Sequence, residues 1–414
     1  MKGANLPAMA WRNLWRNRRR TIITLFGISF GVLLATIFTG IGDYTYSSMI
    51  DQSARLSGGH VVVQHPGYQD LPNLNKTVSN AAQVEAAAKN DPRVIRTVSR
   101  VVGSALIATA ASSQGSFFMA LDPAAEDADT LQILDAIETG EMLTAADSNE
   151  VVLGYKLAEA MGLSLGKKLV YTMTDRDGEI VSGLARVKGL VRTGTPSLDA
   201  SLCVLPIDSV RTVLGYESGE ATQVAIFLRD NRDSADVAEQ IGSGLGADAV
   251  ALTWAQAAPD LAGFIALKEG GAVVMEVIIM LLLAAGIFNT LFVSVMERLR
   301  EFGIMTAIGF SSGAIFVLVM WESLWIALVG IVASVAITAF PYYHLNTVGI
   351  DYSQMVGEGA EVAGVGMEPV IYVSIYAEHA LMIAAAVVIA TLAAGLYPAW
   401  RAGRTNPADV IRQQ

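Results

Sequence analysis

Few residues in this 414-residue chain have the types and spacing that nucleotide binding or catalysis requires. The nearest approach to a phosphate-binding loop is 162–168, Gly-Leu-Ser-Leu-Gly-Lys-Lys, which is one residue short of the motif and lacks its metal-binding hydroxyl. The four histidines, His60, His65, His344 and His379, do not have zinc-ligand spacing, and no Ser or Cys lies in a recognisable nucleophile elbow. We therefore expect no catalytic site, metal or cofactor in this chain.

Two other chemically suggestive features have simpler explanations. Residues 175–178, Asp-Arg-Asp-Gly, resemble the start of a calcium loop, but the third ligand position and the terminal Glu are absent, so we predict a hairpin turn. The single cysteine, Cys203, excludes an internal disulfide and is predicted to be a buried strand residue.

The chain is too apolar for an ordinary soluble protein of its length. Apolar residues make up 53% of it and charged residues 16%, and the mean hydropathy is +0.45. Crossing about 30 Å of hydrocarbon takes about 20 mostly apolar residues. Four segments meet this requirement and predict transmembrane helices at 21–42, 271–296, 312–340 and 379–397. Because the number of spans is even, both termini should lie on the same side of the membrane.

The distribution of charge predicts which side that is. Residues 1–20 contain one Lys and five Arg without an acid, whereas 43–269 contain 17 basic and 29 acidic residues and 341–378 contain five acids and no base. Cytoplasmic loops are enriched in Lys and Arg, so we expect both termini in the cytoplasm and the connections 43–270 and 341–378 outside.

A cleaved signal peptide is the alternative explanation of the first apolar segment. Its apolar core would be about 7 to 15 residues long and would end at a small-residue cleavage site. In this chain the apolar run is longer, and residues 42–45, Gly-Asp-Tyr-Thr, make a poor site. We therefore expect an uncleaved anchor.

The outer connection 43–270 has the pattern of a divided domain. β-α-β patterns occur at 61–102 and 224–254, and the segment between them is richer in short strand signals. Two matching halves that flank an insertion indicate one split α+β domain carrying another inside it. The predicted boundaries are 43–121 and 217–258 for the α+β module, 122–216 for a β-rich insertion, and 259–270 for a stalk.

The predicted fold class is therefore an α-helical membrane protein with four transmembrane helices and a large α+β extracytoplasmic domain, in which a split β-α-β module carries a β-rich subdomain. Helical periodicity runs from Trp254 through Leu261 and Ile265 directly into the second span. This pattern predicts either one rigid helix from the outer domain to the cytoplasm or a long helix whose first third is simply exposed.

The inner connection at 297–311 is short, helical by pattern and bounded by glycines. Its first turn is charged, whereas Phe302, Met305 and Ile308 are three residues apart and should share one face. Such an apolar face is typical of a helix that docks in a groove on a cytoplasmic partner. The alternative is a helix that lies flat on the inner membrane surface and contacts lipid headgroups.

The same connection carries a family resemblance. Residues 297–309, Glu-Arg-Leu-Arg-Glu-Phe-Gly-Ile-Met-Thr-Ala-Ile-Gly, closely resemble the coupling segment of the MacB, LolC/LolE and FtsX group of ABC transporter permeases. Residues 11–21 resemble the family's N-terminal amphipathic helix, 321–324 the region of its third-span glutamate, and 397–402 its C-terminal signature.

The resemblance implies a mechanical transporter in the bacterial inner membrane. Two permease subunits, identical or paralogous, hold two cytoplasmic ABC ATPases, which bind ATP and Mg and drive the outer domains. This chain is then a non-catalytic subunit with a cytoplasmic amphipathic helix at 1–20 and a cytoplasmic tail at 398–414. The residues that the resemblance implies for ATPase coupling are Glu297, Arg298, Arg300, Glu301, Phe302, Gly303, Ile304, Met305, Ala307, Ile308 and Gly309.

Glu322 is a charged residue about ten positions into the third predicted span. A charge there costs at least about 2.5 to 3.5 kcal/mol, so the side chain should face protein or be protonated. A proton relay is one hypothesis, but no second acid or His lies on the same helix to accept the proton. Hydrogen bonding to a neighbouring helix is the favoured interpretation.

Among the family's members the chain looks most like the lipoprotein-releasing LolC/LolE type, which accepts lipid-anchored cargo between the first two spans of paired subunits. That role would add membrane lipid, a lipoprotein cargo and a periplasmic carrier to the partners; no nucleic acid is expected. Positions suited to line such an access route, which lipid contact or helix packing explains equally well, are Phe38, Ile41, Tyr44, Phe264 and Val273.

Two further functions remain open on the sequence alone. MacB-like members export peptides, toxins or small hydrophobic compounds, and FtsX-like members signal to a cell-wall hydrolase, although their outer domain is usually much smaller. The connection 341–378 is longer than the resemblance implies, and we predict that 357–366 within it is flexible.

Overall fold

The computed structural model describes residues 5–56, 58–145, 147–354, 357 and 360–404. They form two compact units. We call residues 5–45, 267–351 and 370–404 the membrane unit, and the described residues of 46–266 and 352–369 the large domain. The predicted tail beyond Arg404 and the first four residues lie outside the described chain.

The described part of the chain contains both helices and strands. The helices are α1 (Leu6–Arg16), α2 (Arg18–Leu56), α3 (Ala81–Ala88), α4 (Tyr155–Ala160), α5 (Pro196–Asp199), α6 (Ile207–Leu214), α7 (Ser234–Gly242), α8 (Trp254–Ala257), α9 (Pro259–Glu297), α10 (Leu299–Ala307), α11 (Ser312–Thr347) and α12 (Ala377–Gly403). The strands are β1 (Val61–Gln64), β2 (Val94–Ala108), β3 (Ser113–Leu121), β4 (Ile137–Gly140), β5 (Glu150–Gly154), β6 (Lys168–Thr174), β7 (Ile180–Val191), β8 (Leu202–Pro206), β9 (Gln223–Leu228), β10 (Val250–Thr253), β11 (Ile350–Asp351), β12 (Glu361–Val362), β13 (Val365–Gly366) and β14 (Val370–Ile371).

Four helices, α2, α9, α11 and α12, are long and apolar enough to cross a membrane, and each contains one predicted span. The helices extend beyond the predicted spans. The third helix continues through Pro341 to Thr347, and the fourth continues through Pro398 to Gly403. A proline removes one backbone donor, but packing of the surrounding turns can hold the helix together. Around Pro398 the neighbours Ala399, Ala402 and Gly403 are all buried.

The helix α9 runs without a break over 39 residues, but it begins at Pro259 and not at Trp254, because the backbone leaves the helical conformation at Ala258 between α8 and α9. At 1.5 Å per residue its length is about 58 Å, which exceeds the thickness of the hydrocarbon layer. The helix α2 has the same number of residues. Its final turns, from Tyr46 onward, belong to the large domain rather than to the membrane unit.

The large domain contains the predicted split β-α-β module. Its strands have the order β10-β1-β9-β2, and β9 lies antiparallel between β1 and β2. The register pairs Val61 with Ile226 and Val62 with Ala225, and all four side chains are buried. The helices α3 and α7 pack against this sheet. Two strands from the end of the module, β9 and β10, therefore complete the sheet that β1 and β2 begin.

The predicted boundary of the insertion at Asp122 is wrong. The 15-residue strand β2 pairs with β9 through its first half, from Val94 to Arg100, and with β3 through its second half, from Val101 to Ala108. The insertion therefore begins inside a strand that both parts share. Its strands close into a ring in the order β2-β3-β8-β5-β7-β6-β2, which is a small six-stranded barrel. Closure leaves no free edge among these six strands.

The barrel explains the two features of the sequence that suggested chemistry. Cys203 lies on β8 and is fully buried, as predicted, and burial raises the pKa of its thiol to about 12, so it is unreactive. Residues 175–178 form the predicted hairpin turn between β6 and β7. In this turn the carboxylate of Asp175 accepts hydrogen bonds from the backbone N–H groups of Asp177 and Glu179, each at 2.9 Å.

Residues 352–369, between α11 and α12 along the chain, belong to the large domain, and we call them the strap. The prediction of a flexible segment is wrong for 361–366, where β12 and β13 form a hairpin; residues 358 and 359 lie outside the described chain. Val365 is buried in an apolar cluster with Met49 and Ile50 of α2 and with Leu261 and Ile265 of α9. No pattern in this short glycine-rich segment predicts that Val365 is buried.

Polar contacts fasten the strap to α2 as well. The Glu368 carboxylate accepts hydrogen bonds from the Ser48 hydroxyl at 2.9 Å and from the Gln52 amide at 3.1 Å. Elsewhere on the strap, the Glu361 carboxylate accepts from the backbone N–H and the hydroxyl of Ser197, at 3.2 and 3.0 Å.

We expect Glu368→Ala to lower the stability of the large domain by about 1 to 2 kcal/mol, because two partly buried donors on α2 lose their acceptor. Amide hydrogen exchange over α2 from Ser48 to Gln52 should accelerate, which can be measured by mass spectrometry of the purified full chain. The matched control is Glu361→Ala, which removes the same side chain from an exposed position of the strap. Equal exchange in both variants at Ser48–Gln52 would contradict the anchoring role of Glu368.

Candidate coupling site

The coupling segment folds as the helix α10, joined to α9 through Arg298. One side of α10 is packed into the membrane unit. Phe302 is fully buried among Val295 of α9, Ile315 of α11 and Ala402 of α12, and Gly303 is buried beside it. Through this side, α10 packs against the long helices α9, α11 and α12.

The opposite side of α10 is exposed in the membrane unit. Arg300, Ile304 and Ile308 are spaced four residues apart and therefore form one stripe. The side chains of Ile304 and Ile308 are 56% and 64% exposed, respectively. Ala307 is exposed beside them. We call these four residues the outer face of α10.

The predicted apolar face was therefore assigned to the wrong side. Phe302 and Met305 point toward the core of the membrane unit, and only Ile308 of the predicted trio is exposed. An amphipathic pattern shows that a helix has two kinds of face. In a helix with apolar residues on both sides, the pattern alone does not show which apolar set is buried. The exposed residues at the two ends, Glu297 and Gly309, flank the outer face.

Glu322 of α11 is the partner of Arg298. The Arg298 guanidinium lies 2.8 Å from the Glu322 carboxylate, and the Asn13 amide of α1 donates to the same carboxylate at 2.8 Å. Glu322 is buried. Glu322 is therefore hydrogen-bonded to neighbouring elements, as the favoured interpretation of the sequence has it, and an arginine balances its charge.

Further ion pairs connect the start of the chain to α10. Arg16 binds Glu301 through two contacts, the longer of them 2.6 Å, and Arg298 reaches the same carboxylate at 3.2 Å. Burial alone would raise the pKa of Glu301, but hydrogen bonds from these two arginines outweigh it and lower the pKa. Arg20 binds Glu297 at 2.7 Å. Three arginines and three glutamates thus form a balanced set, which we call the arginine–glutamate network.

The helix α1 is held against α11 by aromatic contacts as well. The Trp11 ring meets the Trp325 ring edge to face at a centroid distance of 5.1 Å, and the Trp325 indole N–H donates to the backbone carbonyl of Pro7 at 3.1 Å. Ala10 and Leu14 are buried on this side of α1. The network and these contacts together join α1, α10 and α11.

Comparison with protein families matches both halves of the chain. The family model of the MacB-like periplasmic core domain matches residues 21–243, and that of the FtsX-like permease C-terminal domain matches residues 273–407. The chain is an ABC transporter permease of the MacB, LolC and FtsX type. The recognised family and the predicted fold class are thereby confirmed.

Individual relatives are distant in sequence, but their alignments cover most of the permease. The permease is 21% identical to the lipoprotein-releasing system protein LolC of Neisseria meningitidis over 95% of this chain and 94% of that one. It is 22% identical to LolC of Xylella fastidiosa over 80% of each chain. It is 25% identical to the macrolide export ATP-binding/permease protein MacB of Nitrobacter winogradskyi, over 95% of this chain and 58% of that one. The extracellular domain of YknZ from Gram-positive bacteria covers 47% of the permease with 13% identity and a TM-score of 0.33.

The five predicted access positions of the permease are divided between its two compact units. Phe264 belongs to the large domain, where it packs beside the apolar cluster of Met49 and Leu261. The other four, Phe38, Ile41, Tyr44 and Val273, belong to the membrane unit. Phe38 and Val273 are exposed there, and the Tyr44 ring contacts the Tyr372 ring at a centroid distance of 5.3 Å.

Sequence reasoning missed several residues that hold the permease together. Asn13, Arg16 and Arg20 were interpreted only as part of a basic segment, although each binds a glutamate far along the chain. The available signal was the presence of glutamates, at positions 297, 301 and 322, among the basic residues at one end of the spans. Asp43 was also missed: its carboxylate binds His379 at 2.8 Å and thereby joins α2 to α12.

Proposed function

We propose that the permease transmits the work of a cytoplasmic ABC ATPase through the outer face of α10. The observation that carries this proposal is an exposed apolar stripe on a helix that ion pairs and packing attach to its neighbours. Ile304 and Ile308 offer apolar surface, and the arginine–glutamate network ties the helix behind them to α1 and α11. A force applied to α10 is then passed to the long helices rather than absorbed by a loose loop.

The double substitution Ile304→Asp with Ile308→Asp tests this proposal. We expect at least tenfold weaker association with the ATPase subunit, since burying an unpaired carboxylate in an apolar interface is costly. Stability of the isolated permease should change little because both side chains are exposed. Association can be measured by titrating the purified ATPase onto the permease in detergent.

A matched control is Ile180→Asp, the same change at an exposed isoleucine of the large domain. It should leave ATPase association unchanged. Substitutions of Gly303 or Met305 are unsuitable as tests, because they would disturb the packed side of α10. Unchanged association in the double variant would overturn the docking role of this face.

The orientation follows from the same proposal. The side that carries α1 and α10 is cytoplasmic, and the large domain is periplasmic, in a bacterial inner membrane. The concentration of Arg before α2 supports this orientation. Because Cys203 is the sole cysteine and is buried, a cysteine introduced at the exposed Arg19 or Ser182 would be labelled without background. Labelling of position 19 from outside intact cells would reverse the assignment.

The cargo that we propose is a lipoprotein, taken from the outer leaflet with a second permease subunit and passed to a soluble periplasmic carrier. Its support is the LolC relative of Neisseria meningitidis, which aligns over nearly the full length of both chains. The test is reconstitution of the permease with its ATPase and the second subunit in vesicles loaded with an acylated lipoprotein. We expect ATP-dependent transfer to the carrier, and no transfer of the same protein without its acyl chains.

Export is the second candidate, since MacB aligns over 95% of this chain and a pyoverdine export protein of Pseudomonas entomophila over all of it. In the same vesicles, ATP-dependent movement of a macrolide or a siderophore without lipoprotein transfer would favour export over lipoprotein release. The role of the outer face of α10 is common to both functions. Its failure and the failure of the cargo assignment are therefore measured separately.

A further inference from the structure

The arginines at the start of the chain fall into two groups. Arg16 and Arg20 bind glutamates of the arginine–glutamate network. Arg12, Arg18 and Arg19 are exposed, and none of them has an acidic partner among the described residues. The first acidic residue in the sequence is Asp43, at the far end of the first span, and the nearby Glu297 and Glu301 are already bound to Arg20 and Arg16.

Aromatic side chains share the surface with these three arginines. Trp11 and Trp15 are both exposed on α1, and their rings meet edge to face at 5.9 Å. Arg12 and Trp15 lie on the side of the helix away from the buried Ala10 and Leu14, and Trp11 lies at the edge of that side, where its ring also meets Trp325. Exposed tryptophan beside arginine is typical of the boundary between hydrocarbon and headgroups.

The start of α2 indicates where Arg18 and Arg19 lie relative to the membrane. Ile22, Ile23 and Phe26 are apolar residues of the first span and are all exposed in the membrane unit, as lipid-facing side chains are. Arg18 and Arg19 precede them by about one helical turn, which is about 5 Å along the axis. The two guanidinium groups therefore lie at the level of the lipid headgroups.

We propose that Trp11, Arg12, Trp15, Arg18 and Arg19 form a binding surface for anionic phospholipid headgroups of the adjacent leaflet. The guanidinium groups bind the phosphates, and the indole rings lie at the ester level beside them. The helix that carries Trp11, Arg12 and Trp15 is already fixed by Trp325 and Glu322, so little ordering is lost on binding. Each cation near an anionic surface contributes roughly fivefold to lipid preference.

The test uses the full chain in vesicles of phosphatidylcholine with increasing fractions of phosphatidylglycerol. Brominated acyl chains on one lipid or the other quench nearby tryptophan fluorescence, and the signal of Trp11 and Trp15 is isolated by comparison with the variant Trp11→Phe with Trp15→Phe. We expect brominated phosphatidylglycerol to quench at a much lower mole fraction than brominated phosphatidylcholine. The difference should shrink as salt is raised.

Substitution of Arg12, Arg18 and Arg19 by glutamine should reduce this preference at least tenfold. The matched control, Arg16→Gln, removes an arginine that is already bound to Glu301 and should leave the preference unchanged. The triple lysine variant at the same three positions keeps the charge needed for insertion and should retain the preference.

A glutamine variant that still prefers phosphatidylglycerol as strongly as the native chain would overturn the proposal. If that variant also loses its ATPase subunit, the surface is a protein-docking site instead.

Discussion

Replacing Arg298 with methionine is expected to lower the stability of the membrane unit by about 3 to 5 kcal/mol. The substitution leaves the Glu322 carboxylate buried in α11 without its arginine and with only the Asn13 amide as a partner. An unpaired carboxylate in such a position either keeps its charge at high cost or takes up a proton. Thermal unfolding of the purified permease in detergent, followed by tryptophan fluorescence, measures the loss.

Two variants make this result specific. Adding Glu322→Leu to Arg298→Met removes both charges, and most of the lost stability should return. The matched single control is Arg16→Met, since Arg16 and Glu301 are 56% and 45% exposed and such pairs contribute about 0 to 1 kcal/mol. If Arg298→Met costs no more than Arg16→Met, the buried pair does not stabilise the unit as argued.

A second large effect is expected in the large domain from Arg100→Met. The side chains of Arg100 and Glu126 are 0% and 1% exposed, and the guanidinium binds both carboxylate oxygens at 2.8 and 2.9 Å. It also donates to the backbone carbonyl of Thr130 at 2.8 Å. Removing the guanidinium leaves a buried carboxylate without its cation and a buried carbonyl without this donor. We expect the free energy of unfolding, measured in a denaturant titration, to fall by about 3 to 5 kcal/mol.

The expected recovery again distinguishes the pair from simple loss of packing. Arg100→Met with Glu126→Gln carries no buried charge and should regain more than half of the stability. The control is Arg192→Met, which breaks an exposed pair with Glu138 and should cost less than about 1 kcal/mol. A double variant as unstable as Arg100→Met alone would show that the arginine acts through its volume and not through its charge.

Local sequence patterns were sufficient for the large elements of the fold. Apolar length located the four long apolar helices, and helical periodicity from Trp254 predicted the long helix α9, which begins at Pro259. The repeated β-α-β pattern predicted the split module, because each half contains the strands and helix that one sheet layer needs. These are properties that a window of about 20 residues contains.

Features that depend on distant partners were not predictable in the same way. The boundary of the insertion lies inside β2, since only its pairing with β9 and then β3 divides this strand. The pairing of Arg298 with Glu322 joins residues 24 positions apart in different elements. Which side of α10 is buried depends on Ile315 and Ala402, which no local pattern relates to Phe302.

The strap makes the polypeptide pass between its two compact units at four places, near residues 45, 266, 351 and 369. A continuous fragment from Tyr46 to Ala266 therefore leaves out the strap, whose Val365 is buried in an apolar cluster of this domain. Without Val365, the surfaces of Met49, Ile50, Leu261 and Ile265 would be open to solvent. Anyone preparing this domain as a soluble protein should graft the missing peptide onto the fragment, or expect it to self-associate through the uncovered apolar surface.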